Sequence, residues 1–200
     1  SILVQGEDVT ADLVLTNLTG SVFTNLAANL KISNSYITLN DSTETIGNLN
    51  PNSEITMLNA FRFQVSPVSP DREVFLMELK TGNDQRLWKQ RFESRILSPH
   101  LKTVSLTCFT NGDELIQPGE TGQLICKIAN IGHALAKNAT VSIEFSNPYV
   151  KLLSANLQEC GDIAPGLKSY SEFLVKVSDR TPLGTYVPVN VSVTSGNDIY

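Results

Sequence analysis

The chain has 200 residues, 41% of them hydrophobic and 18% charged, with a net charge of −5. This describes a globular chain of one or two domains with a real core, and it excludes a disordered segment or a disulfide-stapled miniprotein. The acidic surplus is spread over both halves, −3 before Leu101 and −2 from there on. Charge therefore points to no nucleic-acid or anionic-membrane partner, and no apolar run is long enough for membrane insertion.

From the N-terminus, Ser1 to Val4 precede a Gly6-Glu7 turn, and Ala11, Leu13 and Leu15 then alternate with polar residues. Such period-two patterning predicts a strand with one buried face. It recurs at Ala28, Leu30 and Ile32, at Phe61, Phe63 and Val65, and at Phe75, Met77 and Leu79. After a Gly82-Asn83-Asp84 turn, Trp88, Phe92 and Ile96 share one face of a further strand. Trp88, the only tryptophan, is expected to plug the space between two sheets. Arg86 precedes that strand, and its other face carries Lys89, Arg91, Glu93 and Arg95. With no aromatic residues interleaved, this is an ordinary charged outer face that discourages edge pairing, not a nucleic-acid surface.

Ser98 to Leu101 read as a joint, after which Val104, Leu106 and Cys108 form a strand leading into the Asn111 turn. The first pattern then returns. Aligning Gly6 with Gly119, at an offset of 113, gives eight identities in 35 positions, among them Glu7/Glu120, Asn17/Asn130, Asn25/Asn138 and Asn34/Asn147. Leu124, Cys126 and Ile128 repeat the first strand, and Val141, Ile143 and Phe145 the second. Phe173, Val175 and Val177 follow at an offset of 112, and Val189, Val191 and Val193 align with Phe75, Met77 and Leu79 at 114. The insertions are expected in turns. No segment holds a helical period, so the chain is expected to be all-β: two tandem antiparallel β-sandwich domains, 1–100 and 101–200. The repeat frame leaves the first copy without its opening strand and the second without most of its last, as in an internal fragment of a longer protein. Either Ser1 to Val4 or a neighbouring chain is expected to cover the open edge of copy one.

Candidate chemistry is sparse. Cys126 takes the register of Leu13, Cys160 that of Ile46, and Cys108 continues an inward series, so all three read as buried thiols; a disulfide or, less readily, zinc is the alternative. His100 lies in the joint and His133 in a polar turn, and neither forms a nucleophile–base motif with a cysteine. Glu7 and Asp8, and Asp113 and Glu114, are adjacent turn acids suited to local hydrogen bonds. Asn111, Asp113, Glu114 and Glu120, with the Gly196-Asn197-Asp198 turn, gather hard oxygens that suggest structural calcium, although the spacing is not that of an EF-hand. Sequons stand at Asn17, Asn40, Asn138 and Asn190. No catalytic, cofactor-binding or metal residue is assigned.

Several motifs of the second copy carry a resemblance: Asn111-Gly-Asp to Pro118-Gly-Glu, Ile128-Ala-Asn-Ile-Gly, Ala136-Lys-Asn-Ala-Thr-Val, Asn147-Pro-Tyr-Val and Gly161-Asp-Ile-Ala-Pro-Gly. They resemble bacterial, Bacteroidetes-type Ig-like repeat modules, found behind gingipain-like cysteine peptidase domains and in other secreted or surface proteins. The first copy matches more loosely, with Thr19 and Asn52 in place of two glycines. The resemblance implies two immunoglobulin-like sandwiches in a non-catalytic, extracellular or cell-surface module that spaces and adheres. Its expected partners are neighbouring domains of a longer parent chain and a host protein or glycan. Accessory domains of a gingipain-like peptidase, or a carbohydrate-binding module, are the alternatives.

Overall fold

The computed structural model describes residues 2–110, 115–196 and 198–200. All its regular elements are β-strands, and the chain divides into two compact units, Ser1–Leu97 and Ser98–Tyr200. The division falls slightly before the sequence-based boundary because the Ser98 carbonyl accepts from the His133 and Ala134 amides (3.0 and 3.2 Å), drawing the joint into the second unit.

Unit 1 comprises β1 (Ile2–Val4), β2 (Asp8–Thr16), β3 (Phe23–Ile32), β4 (Ile37–Asp41), β5 (Thr43–Leu49), β6 (Glu54–Val65), β7 (Glu73–Gly82) and β8 (Leu87–Leu97). A three-stranded sheet, β2-β6-β4, faces a five-stranded one, β1-β8-β7-β3-β5. Unit 2 comprises β9 (Leu101–Phe109), β10 (Thr121–Asn130), β11 (Ala136–Phe145), β12 (Val150–Leu152), β13 (Leu157–Ile163), β14 (Lys168–Val177), β15 (Val189–Ser195) and β16 (Asp198–Ile199). Its sheets run β9-β10-β14-β12 and β13-β11-β15-β16. The order of neighbours is the same in both units, with β2 to β8 standing for β10 to β16. This is the immunoglobulin-like arrangement; in unit 2 the first strand borders the second on one sheet and the third lies on the other, whereas in unit 1 β1 lies beside β8 and the match begins at β2.

Alternation explains the cores. Leu13, Leu26, Ala28, Leu30 and Phe61 are buried in unit 1, as are Leu124, Cys126, Ile128, Val141 and Phe173 in unit 2, and most of their strand neighbours are more exposed, Ala60 and Ala129 being buried exceptions. A second cluster in unit 1, around Val65, Phe75 and Ile96, adjoins the first through Ala11, Ile32, Leu39 and Met77.

Two register assignments from sequence need correction. One insertion expected in a turn lies inside a strand: Ala11 pairs with Phe61 but Leu13 with Met57, so β6 carries two extra residues as a bulge. The corresponding β10–β14 ladder runs without a shift. The bulge exposes Leu58 (72%) and turns Asn59 to a φ of 53°, and the Asn59 amide is satisfied by Asp12 Oδ1 at 2.7 Å. The second correction concerns β7. Ala28 pairs with Thr81 as Val141 pairs with Val193, so Met77, Leu79 and Thr81 correspond to Val189, Val191 and Val193. The shared Gly-Asn-Asp is thus two residues out of register. A two-residue slip leaves every side chain on its face, which makes it invisible to hydrophobic patterning.

The identities between copies are structural. Asn17 and Asn130 are 2% and 0% exposed. Asn130 Nδ2 donates to the Ala134 and Ile163 carbonyls (both 2.8 Å), and its Oδ1 accepts from the Gly132 and His100 amides (3.0 and 3.1 Å). Asn17 Nδ2 likewise donates to Ser21, Leu49 and Asn50 carbonyls, and its Oδ1 accepts from the Thr19 amide and hydroxyl. Asn25 and Asn138 both hold positive φ, 55° and 48°, at corresponding irregularities. Asn34 and Asn147 accept from the amides of Tyr36 and Tyr149 two residues on (2.8 and 2.9 Å). Asn52, at φ 52°, adopts the left-handed backbone that Gly166 has at 77°.

Asn130→Ala strands four backbone partners at a fully buried site and is expected to cost on the order of 3 kcal/mol. Urea unfolding should show unit 2 destabilised and unit 1 unchanged. Asn130→Asp should fare as badly, since a carboxylate cannot donate to the two carbonyls.

Candidate functional site

Among the described residues no strand lies on the outer edge of β2, whereas β9 lies along β10 from Leu101/Asn130 to Phe109/Gln123. β1 does not cover this edge as expected. It pairs in parallel with the end of β8, Ile2 to Arg95 through Val4 to Leu97, on the opposite sheet. The strand from Lys102 to Phe109 packs on copy two with Leu106 and Cys108 inward, as its pattern predicts, but Val104, expected on the same face, is 48% exposed, because the ladder skips it at the irregularity between Lys127 and Ile128.

A side cleft therefore runs between β2 and β8. One part, about 330 Å³, is lined by Leu15, Leu18, Phe23, Leu49, Thr81 and Trp88. Its continuation, about 540 Å³, is lined by Ala11, Leu13, Phe63, Met77, Phe92 and Ser94, and Leu79 and Gln90 border both parts. Trp88 is 41% and Phe92 46% exposed. The expectation that Trp88 plugs the sandwich is thus incorrect. Its side of β8 faces the cleft because no strand on β2 covers it. Phe23 meets Trp88 edge-on, with centroids 5.1 Å apart, and the Arg86 guanidinium stands 5.9 Å from the Phe23 ring. Alternation missed this cleft because it records which face a residue is on, not whether that face is covered.

Unit 2 has an apolar cavity of about 400 Å³ at one end, lined by Ile116, Val150, Val175, Val177, Val187 and Val189 among others. The matching region of unit 1 is filled by Ile96, 0% exposed, among Leu3, Val65 and Phe75.

None of the three cysteines is in a disulfide. Cys126 is fully buried, but Cys108 and Cys160 are only half-buried, which corrects the expectation that all three are enclosed. Both lie on edge strands, Cys108 on β9 and Cys160 on β13, where burial is incomplete. Cys160 Sγ lies 3.0 Å from Ser171 Oγ. Burial, with Cys160 adding, pushes the Cys126 thiol above its ordinary range. His100 and His133 are exposed, His100 against Tyr200 with ring centroids 5.6 Å apart. Glu7 and Glu120 cap their own turns, accepting from the amides of Val4 (3.0 Å) and Gln117 (2.9 Å). Of the calcium candidates, Asn111, Asp113, Glu114 and Asn197 lie outside the described residues. Glu120 serves its turn, and Asp198 Oδ2 lies 3.3 Å from the Tyr200 hydroxyl. Among the described residues no group of three His, Cys, Asp or Glu could hold a metal. The Asn17 sequon is sealed by burial, while Asn40, Asn138 and Asn190 are exposed.

On the charged face of β8, Lys89, Arg91, Glu93 and Arg95 are exposed as expected. Arg91 Nε donates to Glu78 Oε2 at 3.0 Å, and Lys80 stands 3.5 Å from Oε1. The Arg91 hydrogen bond, aided by Lys80, holds the Glu78 carboxyl below its usual value.

No family model and no curated protein sequence matches the chain. Among solved structures, the C-terminal domain of the Streptococcus agalactiae AgI/II polypeptide BspA is similar over 99% of this chain and 91% of its own, at 6% identity and a TM-score of 0.49. The secreted serine protease VesC from Vibrio cholerae is similar over 98% of this chain, at 8% identity and a TM-score of 0.35; the chain spans 48% of its length. The YadV chaperone is similar over 96% of this chain and 87% of its own, at 14% identity and a TM-score of 0.33.

Two predictions follow from these contacts. A thiol reagent should leave Cys126 unmodified in the native protein, react sooner with Cys108 and Cys160, and modify all three in denaturant; a single reactive thiol after unfolding would reveal a bridge. Glu78 should titrate below an ordinary glutamate in a pH series followed by NMR, and Arg91→Gln should return it upward. Because the folded pKa is lowered, this contact stabilises at pH above the unfolded value and fades as pH falls through the folded one. Added salt should shrink the effect.

Proposed function

We propose that the chain is a non-catalytic tandem immunoglobulin-like module of a secreted or cell-surface bacterial protein, working as a spacer and a protein-interaction element. The observation that carries this reading is where the matching residues of the two copies go. The asparagines cap turns, clamp chain crossings and hold positive-φ corners, so what the copies share maintains a scaffold. Sandwiches of this kind resist extension through many backbone hydrogen bonds sheared together, and they leave loops and edges for contacts. A secreted, surface-attached or peptidase-associated parent belongs to this proposal, on the strength of the sequence resemblance.

A second reading, glycan binding, has one observation in its favour: Phe23 and Trp88 line a cleft together with Arg86 and Gln90. Trp88→Ala should abolish retention on a polysaccharide if that reading holds.

Stretching the chain from its ends tests the module. Two unfolding events are expected, each releasing on the order of 350 Å for a unit of roughly a hundred residues. One event of twice that length would refute two independent modules. Incubation with casein should give no cleavage, and hydrolysis abolished by Cys108→Ser or Cys160→Ser would overturn the non-catalytic assignment.

A further inference from the structure

We propose that the side cleft of unit 1 is a strand-acceptor site: it binds an extended segment of a partner polypeptide, antiparallel to β2, with alternate apolar side chains in the cleft. This deepens the interaction half of the preceding proposal; the two-event unfolding stands or falls independently of it.

The second copy shows what such an occupant looks like. β9 adds to β10 antiparallel, pairing Thr107 with Ile125 and Phe109 with Gln123, and turns Leu106 and Cys108 into the core. In unit 1 the backbone is arranged to accept a strand in the same way. Val65 N donates to Glu7 O (2.9 Å) and Asn17 N to Ser53 O (2.8 Å), so odd-numbered residues of β2 bond to β6. Alternation then directs the amides and carbonyls of Thr10, Asp12 and Val14 away from β6, along an edge that no described strand covers. Behind that edge lies the apolar cleft with Leu79, Trp88 and Phe92. Main-chain bonds to such an edge provide affinity, and pockets for every second side chain provide selectivity.

Two substitutions between the copies indicate a strand from a partner rather than a continuous opening strand of this unit. In unit 2 the segments flanking β9 press on glycines. A Cβ on Gly132 would lie 2.4 Å from His100 N and 2.5 Å from Ser98 O, and one on Gly122 would lie 2.5 Å from Ile116 Cδ1 and 2.7 Å from Thr110 Cγ2. Unit 1 has Thr19 and Val9 at these positions. Thr19 Oγ1 donates to Asn17 Oδ1 at 2.8 Å, filling the place that His100 N takes on Asn130. The glycines that make room for the segments flanking β9 are thus replaced by residues with side chains, and no described strand lies along Thr10 to Thr16. The exposed outer face of β2 carries Asp8 and Asp12, so the incoming strand is basic or neutral at its outward positions.

The test uses the whole chain and a fluorescent peptide copying Lys102 to Phe109, with alanine at the cysteine position; the peptide is apolar at alternate positions and carries one lysine. Saturable anisotropy is expected. It should be lost with Thr10→Pro, which removes an outward amide while leaving the β6 bonds intact, and with Phe92→Glu, a change at an exposed position that the fold tolerates; circular dichroism checks both. A peptide with proline at the Leu106 position should not bind. Absence of binding to the native chain, or binding that both variants leave unchanged, overturns the proposal. So does a dimer in sedimentation that Thr10→Pro dissolves, because the occupant would then be a second copy.

Discussion

Each sandwich is held by a buried carboxamide at the point where the chain crosses from one sheet to the other. Asn17 ends the strand β2 of one sheet, and its amide nitrogen reaches the Leu49 and Asn50 carbonyls at the end of β5 in the other. Asn130 does the same from β10 to Ile163, the last residue of β13. Hydrophobic burial brings two sheets face to face without direction. A buried amide with four specified partners in unit 2 and five in unit 1 fixes which crossing meets which strand end, and leaving it unsatisfied would cost a large fraction of a small domain's stability. One partner differs in kind between the copies: the backbone amide of His100, just before β9, in unit 2, and the Thr19 hydroxyl in unit 1.

From that difference the character of the two units diverges. Where the chain before β9 is tied to Asn130, β9 covers the side of unit 2, and Ser98 to His100 sit against Gly132 with no room for a side chain. Where Thr19 closes the network locally, no described strand lies along the edge of β2, and Trp88 and Phe92 stay half in water. The functional proposals rest on this asymmetry within one repeated design. A common frame supplies stability and spacing, and one uncovered edge supplies a surface that can recognise an extended chain.

How much of this was legible in the sequence depends on what each signal encodes. Period-two patterning gives the buried face at Leu13, Phe61, Cys126 and Phe173, because burial follows the pleat, and fails at Val104, where an irregularity in the ladder turns the side chain out. Registers were read less well. The bulge at Leu58 and Asn59 and the two-residue slip of β7 both preserve parity, so no change in hydrophobic pattern marks them. The Asn17/Asn130 identity was visible, but in isolation Asn17 is also a sequon, and only its burial shows that the amide is used internally.

The sequence by itself determined the all-β class, the repeat, the inward faces and the positions of the turns, because these are local or periodic properties of neighbouring residues. Tertiary structure decided which edge stays open, that β1 joins β8 instead of β2, that Cys108 and Cys160 are only half enclosed, and that the single tryptophan lines a cleft instead of filling a core. Those outcomes depend on which strand lies beside which. Strand neighbours far apart in sequence are chosen by the summed pairing and packing of whole sheets, and no short window of residues contains that sum.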